Sequence, residues 1–141
     1  MKMNLLVLAT VLLGCAASFD DLRRRAIANW INLAGLAAGL VYHAAARGWA
    51  GLAWSAGGAA AGFAVFLIFY CLGGMGAGDL KLSAAFGALL GPSGILLAAL
   101  LAAPLGALLA AGCLLWRRRL RAIPYAPALT LGAWLALLGR G

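Results

Sequence analysis

Residues 51–70 read GLAWSAGGAAAGFAVFLIFY, twenty residues without a charged side chain. A helix crosses the hydrocarbon core of a bilayer in about 20 residues, so this stretch by itself predicts a membrane span. Its two halves differ. GGAAAG offers small residues that let another helix approach closely inside a bilayer, and FAVFLIFY supplies bulk.

The neighbouring sequence repeats the pattern. Apolar runs cover Met3–Ser18, Ile27–Ala46, Gly51–Leu72, Leu82–Leu90, Ile95–Trp116 and Ala126–Leu138. Polar or turn-forming stretches separate them, among them FDDLRRRAIAN, ARGWAG, GGMGAGDLK, Gly91-Pro92-Ser93 and WRRRLR. The reading is an all-α integral membrane protein, a polytopic bundle of about six transmembrane helices forming one domain over residues 1–141. The run ending at Gly91-Pro92 is short enough to be a re-entrant piece.

Composition agrees and excludes other classes. The 141 residues are 66% hydrophobic and 10% charged, and Asp20, Asp21 and Asp79 are the only carboxylate side chains against 11 Lys and Arg. Too few charges exist to build a water-facing surface. The net charge of +8 reads as a topological signal and not as a nucleic-acid site, so no nucleic-acid partner is expected. Cys15, Cys71 and Cys113 lie in separate apolar runs without metal-ligand spacing and read as small packing residues. Three carboxylates and one distant His43 make no plausible metal shell, so neither metal nor cofactor is expected.

Orientation follows from the positive-inside rule. With six spans, one side carries Arg23, Arg24, Arg25, Lys81, Arg117, Arg118, Arg119 and Arg121, and the other Lys2, Arg47 and Arg140. Eight against three puts the Asp-bearing loops in the cytoplasm. The start of the chain, Lys2 followed by LLVLATVLLGC, resembles a signal h-region with a loose lipoprotein box at Leu13-Gly14-Cys15. Cleavage there would remove the helix leading into Asp20 and Asp21, so a retained first helix is expected. His43 reads as an interfacial residue, and the Trp residues as an interfacial belt.

All three acids fall at segment ends on one membrane face, where an ionisable group is a functional hypothesis by default. The bland alternative has Asp20 and Asp21 balancing Arg23–Arg25, with Asp79 paired to Lys81. Asp79 argues against it, because it closes Gly73-Gly74-Met75-Gly76-Ala77-Gly78-Asp79. Such glycines permit close backbone approach and positive φ. The stretch is not a phosphate loop, since GK[ST] is missing. Two carboxyls from separate segments can share a proton, one activating water while the other polarises a peptide carbonyl. Asp21 and Asp79 meet that requirement.

Here the motifs carry a resemblance. Gly76-Ala77-Gly78-Asp79-Leu80-Lys81-Leu82 resembles the GxGD motif of the type IV prepilin peptidases, a family of membrane aspartic peptidases. Asp21-Leu22-Arg23-Arg24-Arg25-Ala26-Ile27-Ala28-Asn29 resembles that family's first motif, an Asp followed seven residues later by Pro and then Asn. Ala28 stands where the family has the proline. Pro124-Tyr125-Ala126-Pro127-Ala128 is similar to the Pro-rich start of the family's last helix.

The resemblance implies an aspartic endopeptidase of the bacterial inner membrane, multi-pass, cutting the leader from prepilins at the cytoplasmic face. Its partners would be a prepilin (or pseudopilin) substrate and the lipid bilayer. Asp21 and Asp79 would be the catalytic pair, and Gly76, Gly78, Lys81 and Asn29 would shape the loops and the substrate path beside them. Long family members add a cytoplasmic cysteine region and methylate the new N-terminus; with no such region here, methyltransferase activity is not expected. The short outline is more similar to the peptidases of tight-adherence (Flp) pilus systems or to archaeal preflagellin peptidases, and the Asp21-Leu22-Arg23-Arg24-Arg25 form favours the former. Two other classes use the same acids: a non-catalytic membrane assembly subunit and a proton-relay or transport component.

Overall fold

A chain inside a bilayer must satisfy every backbone N–H and C=O internally, and a helix does so within one segment. The computed structural model of the chain describes residues 2–24, 26–73, 75–115 and 125–139, and nearly all of these are helical. Four helices are formed among them: α1 (Lys2–Arg24), α2 (Asn29–Cys71), α3 (Ala77–Leu115) and α4 (Ala126–Leu138). Three contain segments long and apolar enough to cross a membrane, and α4 is a shorter apolar helix. Six separate helices were expected. The difference lies at two of the expected turns, which fall inside α2 and α3 as single non-helical residues.

Those residues are Gly48 (φ 60°, ψ −138°) and Gly91 (φ 73°, ψ 176°). Both conformations belong essentially to glycine, because any Cβ would clash there. At Gly91 the following Pro92 adds its own constraint, pushing the residue before it out of the α region. Across each glycine the direction of packing changes. Before Gly48, Gly35 lies beside Ala85 and Gly39 beside Ala88; after it, Gly58 lies beside Gly87 and Gly62 beside Ser83. The first half of α2 thus runs with the start of α3 and the second half against it. Past Gly91, Pro92 lies near Gly57 and Ile95 near Gly62, so α3 has reversed as well.

The carbonyls freed by the break at Gly91 take side-chain donors from both halves of α2. Ser55 Oγ donates to Ala88 O at 2.8 Å, and His43 Nε2 to Leu89 O at 2.9 Å. His43 is therefore a half-buried hydrogen-bonding residue and not simply an interfacial one.

Small residues set the closest contacts. A Cβ on Gly58 would strike the Gly87 carbonyl, and one on Gly87 would strike the Gly58 carbonyl. The Gly57–Gly62 stretch thus serves close approach, as its composition suggested. Ser83 Oγ ties the same pair of segments, donating to Gly62 O at 3.1 Å. The buried core is made of Phe66, Phe86, Leu82, Leu89, Ile95 and Leu129 with interleaved alanines.

α4 packs against α1 in the opposite direction. Trp134 Nε1 donates to Thr10 O, Thr130 Oγ1 to Gly14 O, and the Ala126 N–H to the Asp21 carboxylate. This polar ladder brings the N-terminus of α4 to the end of α1 that carries the acids. Cys15 and Cys71 are exposed free thiols, a correction to the reading of the cysteines as packing residues. The Cys113 side chain, Arg25, Trp116, Arg117–Arg121 and Arg140 lie outside the described residues.

Candidate functional site

Asp79 is buried in the first turn of α3. Gly76 precedes that helix, and its carbonyl accepts the first helical bond from the Leu80 N–H at 3.3 Å. The Gly76 N–H in turn hydrogen-bonds the Asp79 carboxylate. A third-position acid reaching back to the cap residue is half of a capping box, and it also sits at the positive end of the helix dipole. Sequence and local structure together thus fix where this carboxyl points.

Asp21 comes from a different helix, far from Asp79 in sequence. It is buried near the end of α1, and its Oδ2 accepts the Ala126 N–H at 3.4 Å. That N–H belongs to the first turn of α4, so this acid too stands at a helix N-terminus. The Asp21 carboxyl acts electrostatically on Asp79. Neither is ion-paired among the described residues, where the ion pair found is Arg24 Nε to Asp20 Oδ1 at 3.5 Å.

Asp20 has a different task. Its Oδ2 accepts the Ala28 N–H at 2.8 Å, closing the connection between α1 and α2. Ala28, which stands at the position of the motif proline, is extended (φ −61°, ψ 134°) as the residue before α2. A φ of that value is the one proline would impose, so the backbone has the same entry geometry without the ring.

The remaining residues tie that connection to α3. Gly78 lies against Ile27, where an added Cβ would sit 3.3 Å from the Ile27 nitrogen. Lys81 Nζ donates to Asn29 Oδ1 at 2.9 Å. Lys81 therefore bridges to α2 and is not the counter-ion of Asp79, which corrects the bland alternative. The glycine run is corrected in part too. Gly73 takes the positive φ of 76°, while Gly78 provides close approach. Near Gly76 an added Cβ would meet only the Asp79 carboxylate at 3.6 Å.

Tyr125, in the Pro-rich stretch before the last helix, is a further residue at this site. It precedes α4, half-buried, with its ring against Gly106 and edge-on to Phe66 at 6.1 Å between centroids. Burial, and secondarily the Asp79 carboxylate, hold its phenol above the ordinary range. Its position in the sequence between Pro124 and Pro127 was the available signal, since proline fixes φ at a helix start. Among the described residues no three His, Cys or carboxylate side chains gather as a metal site would require.

Buried carboxyls on α1 and α3, with Gly78 of α3 packed against Ile27 of the α1–α2 connection, can be set beside known proteins. The sequence profile of the type IV leader peptidase family matches residues 6–111. The chain belongs to that family. A prepilin leader peptidase/N-methyltransferase of Aeromonas hydrophila is 34% identical over 132 residues, 87% of this chain and 45% of the relative. The protein of the same name from Aeromonas salmonicida (strain A449) matches to the same extent. The chain thus spans about half the length of these relatives. No solved structure matches it. The family match includes both acids and ends before Tyr125 and α4. As a member of this family with three helices able to span, the chain is a membrane protein.

Proposed function

We propose that the chain is a membrane aspartic endopeptidase that removes the leader from type IV-like prepilins, with Asp21 and Asp79 as the catalytic pair. The observation that carries this reading is the burial of two carboxyls, Asp21 near the end of α1 and Asp79 in the first turn of α3, near enough to act electrostatically on each other and with no cationic partner among the described residues. Like charges so placed favour a shared proton.

The chemistry follows from that proton. The ionised carboxylate takes a proton from water as the water oxygen adds to the scissile carbonyl carbon. The protonated partner donates to the carbonyl oxygen, giving a neutral tetrahedral adduct. Collapse breaks the C–N bond, the amine nitrogen takes a proton, and leader acid and new N-terminus separate with the dyad restored. Gly76 and Gly78 shape the backbone beside Asp79. Asn29 and Lys81 pin the α1–α2 connection to α3, which fixes one acid relative to the other.

The turns at Gly48 and Gly91 support a bundle of six crossings within one domain of residues 1–141. On the Lys/Arg count the two acids face the cytoplasm of a bacterial inner membrane. A tight-adherence (Flp) type prepilin is the proposed substrate class. An assembly role would place Asp21 and Asp79 in ion pairs, and among the described residues the ion-paired acid is Asp20. Co-expression of the chain with candidate prepilins tests the reading. A leader-length mobility shift is expected; unchanged prepilin with every candidate contradicts it.

A further inference from the structure

Among the described residues, three buried side-chain atoms lack a hydrogen-bond partner, and they belong to two residues. They are both amide atoms of Asn32 and Oδ1 of Asp79. Asn32 is only 5% exposed. A buried polar group without a partner is destabilising, so one kept in an apolar interior points to a partner from outside the chain.

The contacts on either side of Asn32 fix its level in the bundle. Three residues before it, Asn29 is held by Lys81. Three residues after it, Gly35 lies between Leu13 of α1 and Ala85 of α3. Leu13, Ala17 and Asp21 form one buried stripe on α1, and Asp79, Leu82 and Ala85 one on α3. The turn of α2 that bears Asn32 is therefore level with Ala17 and Leu82. That is one helical turn, about 5 Å, inside the membrane from the two carboxyls.

We infer that Asn32 is a substrate-binding residue, whose amide pairs with one peptide unit of an extended stretch of substrate beside the scissile bond. The inference rests on the peptidase reading. The resemblance implies a cut just before the apolar segment of the substrate; a chain cut there must be unwound at the cut, and the first turn of a helix that follows has unpaired N–H groups. At this depth water is scarce and such groups need partners. A primary amide offers both halves of the match: Oδ1 accepts a peptide N–H, and Nδ2 donates to a peptide carbonyl.

Asn32→Leu keeps the size and removes both hydrogen-bonding atoms, and Asn32→Ala removes them without added bulk. Steady-state cleavage of a synthetic prepilin by the purified full chain separates the possibilities, with thermal unfolding measured alongside. Expected is a rise in KM of about tenfold or more, with the melting temperature unchanged or raised because an unpaired polar group has gone. In the Asp79→Asn background, uncut prepilin should bind about tenfold more weakly when Asn32 is also replaced. This arm reads Asn32 even if the wild-type chain fails to cleave, an outcome that would count against the peptidase reading alone. Unchanged KM and binding, or a loss confined to kcat or to stability in both variants, overturns the inference.

Discussion

Asp20 and Asp21 are adjacent in sequence and serve different helices: Asp20 accepts the N–H of Ala28 at 2.8 Å before α2, and Asp21 that of Ala126 at 3.4 Å in α4. Consecutive residues on a helix point about 100° apart, so one acid closes a local connection while the other reaches the start of α4. Asp20→Asn keeps an oxygen for the Ala28 N–H and loses only the ion pair to a largely exposed Arg24. Exposed pairs contribute about 0–1 kcal/mol. The variant should retain most cleavage activity, within about a factor of three, in a prepilin cleavage assay. Loss of activity matching that of Asp21→Asn would shift the catalytic assignment by one residue.

Gly78 and Gly76 separate under the same test. A Cβ at Gly78 presses on the Ile27 backbone, whereas one at Gly76 makes an ordinary contact. Gly78→Val should insert normally into the membrane and cleave poorly, because the turn bearing Asp79 must move away from the α1–α2 connection. Gly76→Ala should be much milder. Membrane fractionation with parallel cleavage measurements reads both properties, and wild-type turnover by Gly78→Val would make the loop a mere linker.

The Lys81–Asn29 bridge predicts coupling. Lys81→Met and Asn29→Ala each remove the same 2.9 Å hydrogen bond, so the double variant should be scarcely worse than either single one. A bridge of this kind is worth about 1 kcal/mol, which corresponds to a several-fold loss of cleavage. Fully additive losses would mean that the two side chains act separately.

Topology is tested by reporter fusions. If the chain reverses at Gly48 and Gly91, fusions after Ala50 should read exterior, after Arg121 cytoplasmic, and at Gly141 exterior. A cytoplasmic reading at Gly141 would mean that one segment fails to cross.

Much of this was legible in the sequence, for local reasons. Apolar runs predict helices because their length matches a bilayer, and Asp79 inside a glycine run announces a tight approach. The break at Gly91-Pro92 was visible as a turn signal. What stayed hidden depends on direction. Lys81 reads as a neighbour of Asp79, but residues two apart on a helix do not face each other, so the ammonium reaches Asn29 on another segment. Gly48 has no proline beside it, and ARGWAG did not show that a single glycine could reverse the chain. Tyr125 and Asn32 were missed because their surroundings come from helices far away in sequence. No spacing rule joins Tyr125 to Asp79, or shows that a polar side chain in an apolar run has no partner.

The most direct measurement is cleavage of a prepilin by Asp21→Asn, Asp79→Asn and the double variant, each confirmed to be membrane-inserted. Asn preserves the size of each side chain and cannot exchange the shared proton. The account predicts that each single variant loses nearly all activity and that the double variant is scarcely worse, since members of one catalytic unit are not additive. Substantial cleavage by either single variant would contradict the assignment of Asp21 and Asp79 as the catalytic pair.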